Sequence, residues 1–157
     1  MAKVHADKRF ETFPNFGKKD ISSLMKESGC FNTNADFYVY LAAVGFGKKR
    51  KFKTESRSGW GEIENSIFDS ENKKLGRMVL ALALASEKDF NILKDTDKCY
   101  EIFGEYVNGG FEVLFEKSQE YSNFEDFIDD LLLDIESESK KNKKFEDKVL
   151  IGDIDFN

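Results

Sequence analysis

The sequence predicts a mostly α-helical fold: a single compact multi-helix domain over residues 1–138, with a basic linker and tail over 139–157. Three observations carry that reading. Apolar residues recur at i, i+3 and i+4 in one segment after another. Helix-start signatures stand ahead of several of those segments. The chain has 157 residues, 40% of them hydrophobic and 16 of them Phe, enough for one core without a disulfide or metal to hold it.

Residues 1–16 show no clear period and hold the sole proline, Pro14, so they read as an arm or irregular lead-in. Over 18–28, Ile21, Leu24 and Met25 line one face of a short helix that Gly29 ends as its C′ residue. Thr33 and Asp36 form a T-x-x-D box at the head of a helix over 34–44. Its Phe37, Tyr38, Val39, Tyr40, Leu41 and Val44 are apolar nearly all round, the pattern of a helix in the middle of a domain. Gly45 and Gly47 are expected to stop it. The stretch 52–61 reads as a loop, and 62–68 is too short to assign from pattern alone.

A second central helix is expected over 70–87, with Leu75, Met78, Val79, Leu82 and Ala83 on one face. Asp95, Thr96 and Asp97 open the next helix, where acids suit the positive end of the dipole. Asn108-Gly109-Gly110 is expected to break or bend it before 111–121 resumes. Ser122 and Glu125 read as a capping box for a helix carrying Phe124, Phe127, Ile128, Leu131, Leu132 and Ile135. After 138 a basic run precedes Val149-Leu150-Ile151 and Ile154-Asp155-Phe156, and three readings stay open for it: an extra strand, a docking tail, or disorder.

Composition narrows the chemistry. Cys30, Cys99 and His5 are the only side chains of their types and cannot supply the four ligands of a structural zinc site. Nor do they make a nucleophile–base pair. The expected state of the cysteines is two free thiols. No secretory leader pattern is seen, and the longest apolar run, 78–85, is far short of the ~20 residues a bilayer needs. The expected location is the cytoplasm, with no membrane partner. GFGKK at 45–49 fails the phosphate-loop pattern, because Ala42 and Lys49 stand where Gly and Ser or Thr are required. No cofactor is expected.

Charge is divided along the chain. Residues 1–60 carry 12 basic against 6 acidic side chains, and 61–157 carry 12 against 24. The basic excess centres on Lys48, Lys49, Arg50, Lys51 and Lys53, extended by Arg57. Such residues hold phosphates without reading sequence, and Phe52 and Trp60 are candidates for stacking on bases. The bland alternative is a solvated loop whose cations complement a helix C-terminus. Between 120 and 138 there are eight acids and no bases. Of these, Asp126, Asp129, Asp130 and Asp134 form a face that either meets a basic partner or keeps the protein soluble. Divalent-metal nuclease chemistry through Asp126, Asp129 and Asp130 is the weakest alternative.

Three segments, FNTNADFYVYLAAVGFGKKRK (31–51), LGRMVLALALASEKDFNIL (75–93) and CYEIFGEYVNGGFEVLFEKS (99–118), carry a resemblance. Together they resemble the DNA phosphorothioation (Dnd) system-associated protein 4 family, small accessory proteins of bacterial phage defence. The matching positions are Phe31, Thr33, Asp36 and Gly45, then Ile102, Phe103, Glu105, Tyr106, Asn108, Gly109 and Gly110. Gly104 and Val107 depart from the family's glutamate and alanine. The likeness covers about 18–120. It implies a neighbourhood of sulfur-modified DNA and restriction partners, and it supplies no active site. The resulting expectation is a non-enzymatic binding module that contacts DNA backbone through the basic loop, with other defence proteins as partners. A protein–protein adaptor without nucleic-acid contact is the alternative.

Overall fold

The computed structural model describes residues 3–56, 61–69 and 74–150. It is mostly α-helical: α1 (Ile21–Glu27), α2 (Asn34–Gly47), α3 (Asn65–Phe68), α4 (Gly76–Glu87), α5 (Thr96–Ser118) and α6 (Phe124–Leu150). Two short strands, β1 (Lys3–Val4) and β2 (Ile63–Glu64), pair antiparallel with Val4 opposite Ile63. The chain forms two compact units, Met1–Glu120 and Tyr121–Asn157.

Local chemistry sets several boundaries. The Asp20 carboxylate accepts the Ser23 N–H at the head of α1, and Gly29 follows its end with φ of 81°. The Thr33 hydroxyl accepts the Asp36 N–H at 3.2 Å and donates to the Asp36 carboxylate at 2.7 Å. Asp95 caps α5 through the Lys98 N–H. For α6 the cap is Asn123, whose Oδ1 accepts the Asp126 N–H at 2.9 Å, rather than Ser122. That helix also runs on through the segment read as a basic linker, as far as Leu150.

The core of the first unit is α2 lying against α5. Phe37, Tyr38, Leu41 and Ala42 meet a helix that is buried nearly all round between Cys99 and Leu114. The Phe111 ring stands edge-on to Phe37 and Tyr38, each centroid 5.7 Å away, and stacks on Phe10 at 5.7 Å. The partner of α2 at the centre is therefore α5. In α4 only Gly76, Val79 and Ala83 are buried and Met78 is half exposed, so α4 is a covering helix rather than a second central one. Residues 70–73, read as its start, lie outside the described residues.

Glycine does different work here from that expected. Gly45 and Gly47 lie inside α2, and Gly109 and Gly110 lie inside an unbroken α5. A Cβ on Gly110 would run into the Leu41 carbonyl, one on Gly45 into the Tyr106 carbonyl, and one on Gly109 into the Arg50 carbonyl. The two helices thus touch backbone to backbone, and side chains at these positions would hold them apart. What reads as a chain break is a contact surface.

The N-terminal segment also differs from the expected arm. Val4, Ala6, Phe10 and Phe13 are buried. Val4 and Ala6 flank half-buried His5 and follow exposed Lys3, and Phe10 and Phe13 then pack on Phe111 and Phe115. Cys30 and Cys99 are free thiols, the second fully buried and donating to the Ile92 carbonyl at 3.3 Å. No helix among the described residues is long and apolar enough to cross a membrane.

Candidate nucleic-acid interface

The basic loop begins with the way α2 ends. Lys48 closes the helix, and Lys49 takes a left-handed conformation with φ of 57°. The Lys49 N–H then reaches back to the Phe46 carbonyl at 3.1 Å and the Arg50 N–H to the Gly45 carbonyl at 2.8 Å. This is a Schellman turn with lysine at the position glycine usually fills. It turns the chain and settles carbonyls that the helix end would leave unpaired.

Beyond the turn the loop is strapped down. The Phe52 N–H donates to the Glu105 carbonyl at 3.3 Å, and the Lys8 N–H donates to the Ser56 carbonyl at 3.0 Å. Asn108, wholly buried on α5, sits at the junction. Its Oδ1 accepts the Asp7 N–H at 2.9 Å, and its Nδ2 donates to Thr54 Oγ1 at 2.9 Å and to the Phe52 carbonyl at 3.4 Å. The Thr54 hydroxyl donates onward to the His5 carbonyl. The Asp7 carboxylate, 2% exposed, accepts the N–H groups of Glu55 at 2.8 Å, Arg9 at 3.1 Å and Ser56 at 3.4 Å. Burial raises its pKa, but these three N–H groups and the Arg9 charge outweigh burial and hold it below the usual value.

Fixed backbone presents the side chains in two groups. Lys48, Lys49, Lys51 and Lys53 are exposed. Among the described residues none of the four forms an ion pair, though Lys51 Nζ lies 5.5 Å from the Tyr106 ring centroid. Arg50 is different. Its guanidinium donates to Glu116 at 2.7 Å and Glu112 at 3.3 Å, both on α5, so its charge is largely answered within the fold. The Phe52 ring is covered by Arg9, whose guanidinium carbon sits 4.4 Å from its centroid, and by Phe10 at 5.9 Å. It is not open to a base. Arg57 and Trp60 lie outside the described residues.

Sequence reasoning passed over Arg9, because it lies in a segment read as an arm. The signal was there: Asp7-Lys8-Arg9-Phe10 places a turn cap, two cations and a core ring in succession. A cleft of about 230 Å³ opens beside the loop, with Lys53, Lys3 and His5 facing Asp97, Glu101 and Glu105.

In the second unit, Asp126 and Asp129 are exposed. Asp126 accepts from Asn123 Nδ2 at 3.1 Å, while Asp130 accepts from the Tyr121 hydroxyl. Asp134 is exposed one turn further on. Among the described residues no three His, Cys, Asp or Glu side chains gather as a metal-binding group.

The motifs in the three resembling segments now acquire a common location. The helix end at 45–51 and the Asn108-Gly109-Gly110 triplet are in direct contact, one holding the other. The sequence family described as DNA sulphur modification system-associated protein 4 matches residues 18–152, which extends the likeness past 120 into α6. No curated protein and no solved structure matches the chain. On the span of that match, the chain belongs to the DNA sulphur modification system-associated protein 4 family.

Proposed function

We propose that this protein is a non-enzymatic accessory module of a DNA-modification-linked phage-defence system. In this reading it contacts DNA backbone through Lys48, Lys49, Lys51 and Lys53, with Arg57 and Trp60, a few residues further along the sequence, as further candidates. The observation that supports it is the strapping of the loop. Asn108 and Asp7 fix its backbone, and four lysines without ion pairs among the described residues project from that frame. A solvated loop would not require five half-buried side-chain hydrogen bonds to keep its shape; a phosphate-binding one gains from cations held in place.

The test is DNA affinity measured against salt. Each phosphate neutralised contributes about 0.9 to the slope of log K against log salt. The wild type should give a slope near −3 to −4. Replacing the four lysines with alanine should remove most of it, while Arg50→Ala should change it little, because Glu112 and Glu116 already answer that charge. Equal, salt-insensitive binding by wild type and the four-lysine variant ends this reading.

A second reading has its own observation. On α6, Leu132 and Leu133 are 44% and 63% exposed in a helix that carries Asp126, Asp129, Asp130 and Asp134. Apolar side chains set among acids suit a protein partner with a basic rim. Co-purification with another defence protein that survives nuclease, and is lost when Leu133→Lys is introduced, supports this adaptor role. Retention of the partner by that variant removes it.

A further inference from the structure

Among the described residues beside the basic loop one ring is open, and it is not Phe52. Phe46 lies in the last turn of α2 and is 38% exposed. Its position is fixed from below. It stands at 73° to the Tyr106 ring with centroids 5.5 Å apart, and the Tyr106 hydroxyl is hydrogen-bonded to Ser86 at 2.9 Å. Lys51 Nζ lies 5.5 Å from the centroid of that same Tyr106 ring. Lys48 and Lys49 follow two and three residues after Phe46, and the Phe46 carbonyl itself accepts the Lys49 N–H. Gly47 between them is exposed, and a Cβ placed there would meet nothing within 4 Å. The result is a held aromatic ring beside bare backbone, with two lysines following it directly in the chain and a third on the same Tyr106 ring.

We infer that this surface takes a single-stranded stretch of nucleic acid, with one base stacked on Phe46 and the flanking phosphates on Lys48, Lys49 and Lys51. The inference rests on the backbone-contact reading above and names the form of nucleic acid. Lysines alone hold duplex and single strand alike, since both carry phosphates. A phenyl ring distinguishes them: bases in a duplex are stacked on each other, whereas an unpaired base offers a free face. The half charge at the C-terminus of α2 opposes an anion, but three lysines outweigh it. The neighbouring lysines also argue against a protein anchor, because lysine is depleted from the centres of protein–protein interfaces.

The experiment uses fluorescence anisotropy on the full chain, with a labelled 12-mer oligothymidylate and a duplex of equal length at one salt concentration. The wild type should prefer the single strand. Phe46→Ala and Phe46→Leu should each weaken single-strand binding about 5- to 100-fold and leave duplex binding unchanged. Phe46→Leu keeps apolar volume over Tyr106, and its melting temperature shows that the fold survives. If Phe46→Leu binds the single strand as the wild type does, or if both forms weaken equally, the stacking role falls while the backbone reading stands. If the wild type binds neither oligonucleotide, both fall.

Discussion

Asn108 Oδ1 accepts the backbone N–H of Asp7 at 2.9 Å, joining residues 101 apart in sequence. The same carboxamide donates to Thr54 and Phe52, so one buried side chain ties the N-terminal segment and the basic loop to the central helix. The first prediction follows. Asn108→Ala strands the buried Asp7 N–H and a half-buried carbonyl, such groups being worth about 1–3 kcal/mol when unpaired. We expect a loss of about 3 kcal/mol, read from the denaturant midpoint at unchanged slope. A loss under about 1 kcal/mol would mean water replaces the amide and the junction is not structural.

The glycines of α5 separate two kinds of position. A Cβ on Gly110 would strike the Leu41 backbone, whereas one on Gly104 would meet only Val4 Cγ1 at an ordinary 3.6 Å. Gly110→Ala should cost about 3 kcal/mol or more, because neither backbone can yield without separating α2 from α5. In a chain of this length that is a fall of roughly 6–12 °C in melting temperature. Gly104→Ala should be neutral or stabilise by up to about 1 kcal/mol, since alanine favours helix. Equal effects at the two sites would contradict backbone contact at Gly110.

This contrast shows what the sequence could and could not tell. Thr33, Gly29 and Asp95 were readable because a cap acts within a few residues and its chemistry is local. The Phe37, Leu41 and Phe111 positions were readable as core because burial follows helical period. Gly109 and Gly110 were not readable, because glycine breaks a helix or admits a neighbour, and Leu41 and Arg50 decide which. Arg50 reads as one of five equal cations until Glu112 and Glu116 stand beside it. Phe52 reads as a free ring until Arg9 covers it. The basic loop was legible as a charge; its fixed shape, which depends on Asp7 and Asn108, was not.

Lys49 occupies a left-handed position that costs a side-chain-bearing residue about 1–2 kcal/mol. Lys49→Gly should therefore stabilise the fold by about 1 kcal/mol, raising the melting temperature by roughly 2–4 °C. Lys48→Gly, at a right-handed position, should gain nothing. The same Lys49→Gly change should lower the salt slope of DNA binding by about 0.9 if this lysine meets a phosphate. A more stable protein with an unchanged slope would place Lys49 outside the contact.

Asp7 makes stability depend on acidity. Its carboxylate is buried and accepts three backbone N–H groups, and its pKa lies below the ordinary 3.8. A group whose pKa falls on folding stabilises the native state at pH values above its unfolded pKa. That contribution is lost as the pH drops through the folded value. Asp7→Asn supplies one acceptor oxygen instead of two and turns an N–H₂ toward donors, so it should cost about 2 kcal/mol at pH 7. The gap between wild type and variant should stay constant from pH 7 to about 5, then narrow below about 4 as the wild-type carboxylate takes up a proton. Other carboxylates titrate in both proteins and cancel in the difference. Denaturant midpoints at pH 7, 5, 4 and 3 measure it, and a gap that stays the same at all four shows that the charge on Asp7 does not hold the loop.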